Sequence, residues 1–244
     1  MVIVGVNTPN AIEQKWLNIL AKDDSVVVFT ETTSNLFDAE FFPSIDQIIA
    51  PLSIKEFEAL QPDILLTIGG LIVSKKIKAF LRNHRLKHHW HIDEHKANDT
   101  FFCLEHFIKM SPTQFFTSFF NVASHGVKSK YHEFWTTVKN HRRKKHEIYL
   151  KDIPFSDLKV FDKVLASIPN DTILQLSNSS TVRYTQLFNL NKTLKVFCNR
   201  GTSGIDGSTS TAIGCSAIRS EQTVFITGDL SFFYDSNALW NNYI

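Results

Sequence analysis

Between Asn199 and Tyr234 the chain reads NRGTSGIDGSTSTAIGCSAIRSEQTVFITGDLSFFY, and five of the nine glycines in the sequence (Gly201, Gly204, Gly207, Gly214 and Gly228) fall inside it. Glycine at that density lets backbone approach a bound group closely. The first half, NRGTSGIDG, reads as a loop feeding a small-residue helix from Ser208 to Ile218. The first amides and positive dipole end of that helix face whatever the loop encloses. The second half is a strand, TVFIT, expected to be buried, that runs into Gly228-Asp229. A carboxylate after a glycine at the C-terminal end of a parallel strand suits a hard divalent cation beside a phosphate. Taken alone, Gly-Asp also fits a turn closed by an Asx hydrogen bond.

Two other clusters carry chemistry-bearing side chains. His84, His88, His89, His91 and His95 are close in sequence, and His91, Glu94 and His95 spell H-x-x-E-H. That zinc motif needs a helix, whereas HHWHID alternates as a strand does, with His89 and His91 on one face. The run KNHRRKKHE from Lys139 to Glu147 has no interleaved aromatics. It reads first as an exposed helix end or interdomain linker, with a nucleic-acid patch as the sharper alternative.

Composition bounds the rest. A chain of 244 residues, 43% hydrophobic and 20% charged, can bury a core large enough for one large or two modest domains. A formal charge of +2 is too small to imply a nucleic-acid or membrane partner. Cys103, Cys198 and Cys215 form no C-x-x-C pair and are odd in number, which favours a reducing cytoplasm over a disulfide framework. The apolar run ILLTIGGLIV is about half the length of a bilayer span. The N-terminus MVIVGVNTPN lacks the basic and apolar regions of a secretory signal.

The elements that must position these groups alternate between strand and helix. Val2–Val6, Ser25–Thr30, ILLTI (64–68) and HHWHID (88–93) read as strands. Helices are expected from Pro9-Asn10, with Ile12, Trp16, Ile19 and Leu20 on one face, over SIKEFEAL, and around Ser74 to His84. Helical periodicity continues through FFCLEHF, TQFFTSFF and YHEFWTTV, and a boundary is placed in the charge run, giving domains 1–145 and 146–244. After it, Ser156 is set to cap a helix burying Leu158, Phe161, Val164 and Leu165. Strand TILQLS, a helix from Ser179 to Phe188, strand KVFC and a closing helix SNALWNNYI follow. Such alternation predicts an α/β fold of three layers, with mostly parallel sheets covered on both faces.

Four stretches in order, PDILLTIGGLIVSKKIKAFL, LSNSSTVR, NRGTSGIDGSTSTAIG and GDLSFFYDSNAL, resemble the thiamine-diphosphate enzyme superfamily over most of the chain. The branch they resemble is the 2-succinyl-5-enolpyruvyl-6-hydroxy-3-cyclohexene-1-carboxylate synthases of menaquinone biosynthesis. The resemblance implies a Rossmann-like middle domain followed by the first part of a diphosphate-binding domain. It implies thiamine diphosphate with Mg²⁺ or Mn²⁺ as cofactors, Asp229 as metal ligand, and Ile205 as the apolar wedge that bends the cofactor. Ser203, Gly204, Gly228, Leu230 and Ser231 would line the same pocket. Substrate carboxylates would be met by Arg200, Ser179, Arg183, Lys75 and Lys76. The family pattern has an arginine where Lys76 stands, so a point charge replaces a bidentate fork.

The reaction implied is decarboxylation of 2-oxoglutarate and addition of the resulting succinyl semialdehyde carbanion to isochorismate, in a homodimer or homotetramer. The Asn pair of the family's metal site is not matched by Asn241-Asn242, which follow Gly228 too closely. No pyrimidine-binding domain with an activating glutamate is recognisable, so no catalytic residue is assigned within the chain. The sequence therefore reads as an internal fragment, inactive by itself. The alternative is a non-catalytic Rossmann-like module that binds a nucleotide or cofactor.

Overall fold

The computed structural model describes residues 1–84, 86–122 and 127–242. They form two compact units, Met1–Tyr149 and Leu150–Ile244. In the first, the order is β1 (Val2–Val4), α1 (Gln14–Ala21), β2 (Val28–Thr30), α2 (Ile45–Ile49), α3 (Ile54–Leu60), β3 (Ile64–Ile68), α4 (Lys75–Asn83), β4 (His88–Ile92), β5 (His106–Ile108), α5 (Pro112–Val122) and most of α6 (Tyr131–Asp152), which ends in the second unit. The sheet runs β2-β1-β3-β4-β5 and every pairing is parallel.

Side-chain alternation along these strands builds two cores. Ile3, Phe29 and Leu65 face one way, into a cluster with Ile45, Ile48, Ile49, Ile77, Leu81 and Trp135 from α2, α4 and α6. Val2, Val4, Val28 and Ile92 face the other, against Trp16, Leu17, Leu20, Phe115 and Phe116 from α1 and α5. A parallel sheet buried on both faces needs apolar residues at successive positions, which is why β1 is simply Val-Ile-Val.

Unit two contains α7 (Asp157–Ser167), β6 (Ile173–Leu176), α8 (Ser180–Thr185), β7 (Lys195–Cys198), α9 (Ser208–Ile218), β8 (Thr223–Ile226) and α10 (Asp229–Tyr234), then a 3-10 turn over Ser236–Trp240. Its three strands are ordered β7-β6-β8, again parallel. The α/β class with parallel sheets is thus as the sequence indicates. Among the described residues no helix is long and apolar enough to cross a membrane.

Several local expectations are corrected. The first helix starts at Gln14 rather than Asn10, whose φ is 62°, and Ile19 is exposed. FFCLEHF is not helical: Phe101, Leu104 and Phe107 happen to recur every three residues, but Phe102 sits at φ 59° and His106–Ile108 pair with Trp90–Ile92. In α7 only Leu165 is buried, Leu158 and Phe161 are half-buried and Val164 is exposed. Ser156 occupies the N-cap position but bonds no amide, its hydroxyl donating to Pro154 O. The helix expected from Ser179 to Phe188 is the shorter α8. The charge run is continuous helix inside α6. Strand β8 is half-buried, because it is an edge strand of its sheet. SNALWNNYI is a 3-10 turn to Trp240, and its last two residues lie outside the described residues.

Candidate functional site

In open α/β sheets, ligands bind outside the carboxyl ends of the strands. The three strands of unit two end in Ser177–Ser179, in the loop 199–207 and in Thr227–Asp229, so the expected site residues of this unit share one edge. Hydrogen bonds knit the three exits together. Ser177 N donates to Ile226 O at 3.0 Å, and Gly228 N donates to Ser177 Oγ at 3.2 Å, tying β8 to β6. Ser231 Oγ donates to Ile205 O at 2.8 Å, which joins the start of α10 to the loop after β7.

That loop is shaped by Asn178. Its Nδ2 donates to Asn199 O at 2.6 Å and Gly204 O at 2.8 Å, while its Oδ1 accepts from Arg200 Nη1 at 2.7 Å. Asn199 Nδ2 in turn donates to Gly207 O and to Thr211 Oγ1, closing the loop onto α9. Gly207 sits at φ 70°, where a Cβ would be strained, and Ser203 holds a left-handed φ of 61°. Ser179 has φ 66° and ψ −126°, a sparsely populated conformation that persists only where surroundings enforce it.

The structure brings Arg200, Ser203, Gly204 and Ile205 onto one loop, with Ser231 bonded to it and Gly228 bonded through Ser177 to the end of β6. Asp229 is exposed as the first residue of α10 and forms no ion pair among the described residues. Leu230 beside it is largely exposed. Ser179 and Arg183 are exposed at the start and on the second turn of α8. Burial pushes the neighbouring Cys198 thiol up to about 11, with Arg200 pulling the other way, so Cys198 is a protonated thiol near pH 7.

One expectation about α9 changes. Ser210 N and Ser210 Oγ both donate to the Asp235 carboxylate at 2.7 Å. An internal acid thus takes part of the helix N-terminus that a ligand was expected to meet. Sequence reasoning missed Asp235 and Asn178. A signal for Asn178 was present, since it lies two residues past the end of a fully buried strand.

A cofactor diphosphate with a divalent cation finds part of its site here. Asp229 supplies one free carboxylate, and a Cβ added at Gly228 or Gly201 would meet nothing within 4 Å, so the backbone there is open to approach. Among the described residues no three His, Cys, Asp or Glu converge on a metal position. The residues fit the group as one carboxylate and a backbone cradle, with further oxygen ligands to come from phosphate, water or other protein atoms.

Unit one carries the basic pair and the histidines. Lys75 and Lys76 are the exposed first residues of α4. Two cations at a helix N-terminus oppose its dipole. The buried Glu31 carboxylate offsets this, accepting from Val73 N at 2.7 and 3.0 Å and from Ser74 N at 2.8 Å. Ser74 also caps Ile77 N and donates to Asp46.

The strand order 2-1-3-4-5 has its switch point between β1 and β3, where such folds bind nucleotides. That crevice is sealed by backbone: Gly70 N donates to Val6 O at 2.7 Å, and a Cβ on Gly5 would lie 2.0 Å from Gly70 O. His89 Nε2 and His91 Nδ1 share the Thr67 hydroxyl at 3.0 and 2.9 Å. Burial lowers His89 to about 4, with Asp99 opposing, and lowers His91 as well, so both rings are neutral near pH 7. His91, Glu94 and His95 are not on a helix: the chain leaves β4 into a turn whose His95 and Lys96 amides bond Asp93.

No protein-family model matches the chain. It is 55% identical over 249 aligned residues to 2-succinyl-5-enolpyruvyl-6-hydroxy-3-cyclohexene-1-carboxylate synthase of Christiangramia forsetii and 50% over 244 to that of Flavobacterium psychrophilum. The synthase of Porphyromonas gingivalis is 36% identical over 255 aligned residues. Each alignment takes in 100% of this chain but only 43 or 44% of the relative. The chain is homologous, end to end, to a segment of these synthases.

Proposed function

We propose that this chain is the middle domain and the first part of the diphosphate-binding domain of a thiamine-diphosphate-dependent synthase acting on 2-oxoglutarate and isochorismate. The single observation that supports this most is the convergence, on one sheet edge of unit two, of a carboxylate and a half-buried arginine that pair with no opposite charge among the described residues. They sit there with the glycine-rich loop, in a chain homologous throughout to such synthases. When bound, thiamine diphosphate supplies the electron sink that lets a 2-oxo acid lose carbon dioxide and its residue join an acceptor.

The chain's own groups do the binding and orienting. Asp229 would ligate Mg²⁺ or Mn²⁺ against the diphosphate. Gly228, Leu230, Ser231, Ser203 and Gly204 would line the cofactor, and Ile205, fixed through its carbonyl by Ser231, would supply the apolar wedge. Arg200, Arg183 and Ser179 would meet substrate carboxylates, and on unit one Lys75 and Lys76 would do the same. Fixed arginines suit this task because a guanidinium binds a carboxylate through two parallel hydrogen bonds. Near-neutral charge overall leaves recognition to these local cations.

The test is carbon dioxide release from 2-oxoglutarate, and consumption of isochorismate, by the natural protein that carries this chain. Turnover that requires both thiamine diphosphate and Mg²⁺ is the expected result. A protein that takes up the cofactor yet leaves 2-oxoglutarate untouched would exclude the reading.

A further inference from the structure

Arg200 is a half-buried cation held by a neutral group. Nη1 donates to Asn178 Oδ1, Nε is buried without a partner, and no carboxylate pairs with the side chain among the described residues. Asn178, 3% exposed, is fully engaged. Its two N–H donors go to Asn199 O and Gly204 O, and its oxygen accepts from Arg200 and, at 3.5 Å, from Cys198 Sγ. A side-chain amide has two donors and two lone pairs, so nothing is left over. Turning the amide over would set NH₂ against the guanidinium and oxygen against two carbonyls, so its orientation is fixed.

We propose that Asn178 is a positioning residue with two coupled roles. It latches both ends of the 199–204 loop, and it aims Arg200 through an uncharged acceptor, so the guanidinium keeps its full charge for a ligand carboxylate. Aspartate has the same shape and would grip the arginine harder. It would also neutralise that charge and place a carboxylate oxygen against the carbonyls of Asn199 and Gly204. This inference rests on the reading of Arg200 as a carboxylate binder and adds why its partner is an amide.

The experiment compares Asn178→Asp, Asn178→Ala and wild type in the natural protein. The readouts are 2-oxoglutarate kinetics across pH, thermal unfolding, and hydrogen exchange of the 200–205 amides. Asn178→Asp should raise KM for 2-oxoglutarate by about ten-fold or more while kcat falls less, and the defect should narrow as acid protonates the new carboxylate. Asn178→Ala, which leaves the charge of Arg200 intact, should raise KM less than the aspartate does. Both should speed exchange in the loop. Equal KM values for Asp and Ala, or a lowered melting temperature with KM unmoved, would overturn the proposal. If wild type does not turn over 2-oxoglutarate, the proposed function fails by itself and loop exchange then judges the latch: faster exchange in both variants supports it, and wild-type exchange overturns it.

Discussion

At the carboxyl ends of β1 and β3, Gly5 and Gly70 lie too close for a side chain on Gly5. The nearby N-terminus of α4 is closed by the buried carboxylate of Glu31. At the carboxyl ends of β6, β7 and β8 the backbone at Gly201 and Gly228 is open, and among the described residues Arg200 pairs with no acid and Asp229 with no base. Two units on one parallel plan thus treat the same edge differently. In unit one the backbone of Gly5, Val6 and Gly70 closes the exit between β1 and β3, and Lys75 and Lys76 are exposed. In unit two the neutral Asn178 holds Arg200, while the Asp235 carboxylate takes Ser210 of α9. Fold alone therefore does not locate the chemistry; the partners of each charged group do.

The comparison can be broken first at Glu31. Glu31→Ala leaves the Val73 and Ser74 amides buried without acceptors and should destabilise unit one by about 3 kcal/mol, read as a shifted denaturation midpoint. The strands of unit two should keep their hydrogen-exchange protection. A loss below about 0.5 kcal/mol would mean that the carboxylate is not what seals that edge.

Arg200→Ala and Arg183→Ala sharpen the contrast from the other side. Each should raise KM for 2-oxoglutarate by about ten-fold or more and leave thiamine diphosphate affinity within about two-fold, since each is assigned to substrate carboxylate. Equal losses in cofactor affinity would move both residues from substrate to cofactor.

Acid should act on unit one. His89 and His91 have folded values depressed by burial, so between their unfolded value of about 6.5 and the folded value of about 4 for His89 the unfolded chain binds more protons. Their contribution is fully present above about pH 6.5 and is lost as pH falls toward 4. Unit one should lose roughly 1 to 2 kcal/mol between pH 7 and pH 5. In a His89→Gln, His91→Gln double variant that slope should flatten, and an unchanged slope would assign the effect to other groups.

Helix caps give the smallest difference. Ser53 forms a complete capping box with Glu56, so Ser53→Ala should cost about 1 kcal/mol. Ser156 caps no amide, and Ser156→Ala should stay within about 0.5 kcal/mol. Equal effects in thermal unfolding would contradict that distinction.

Much of this was legible in the sequence because it is local. Val-Ile-Val is a continuous apolar run and ILLTI and TILQLS are mostly apolar ones, as a strand covered on both faces needs, and the strand character of HHWHID follows from alternation. The glycine-rich loop and Gly228-Asp229 announce themselves by residue type. What escaped depends on groups far apart in the chain. Glu31 meets Val73, Asn178 meets Gly204, and Asp235 meets Ser210 through bonds that no periodicity encodes. FFCLEHF misleads for a related reason: the three-residue spacing of Phe101, Leu104 and Phe107 suits a helix, and only pairing with β4 makes its end a strand. In α7, Val164 and Leu165 are equally apolar, and packing alone selects Leu165 for burial.

The proposed cofactor edge at the strand ends of unit two stands or falls with Asp229 as its metal ligand. Isothermal titration of thiamine diphosphate with Mg²⁺ into the natural protein and its Asp229→Asn variant tests it most directly. Mg²⁺-dependent binding to wild type is expected, weakened by at least about ten-fold in the variant, whose thermal unfolding stays unchanged because Asp229 is exposed. Equal, Mg²⁺-dependent affinity in both proteins would contradict it.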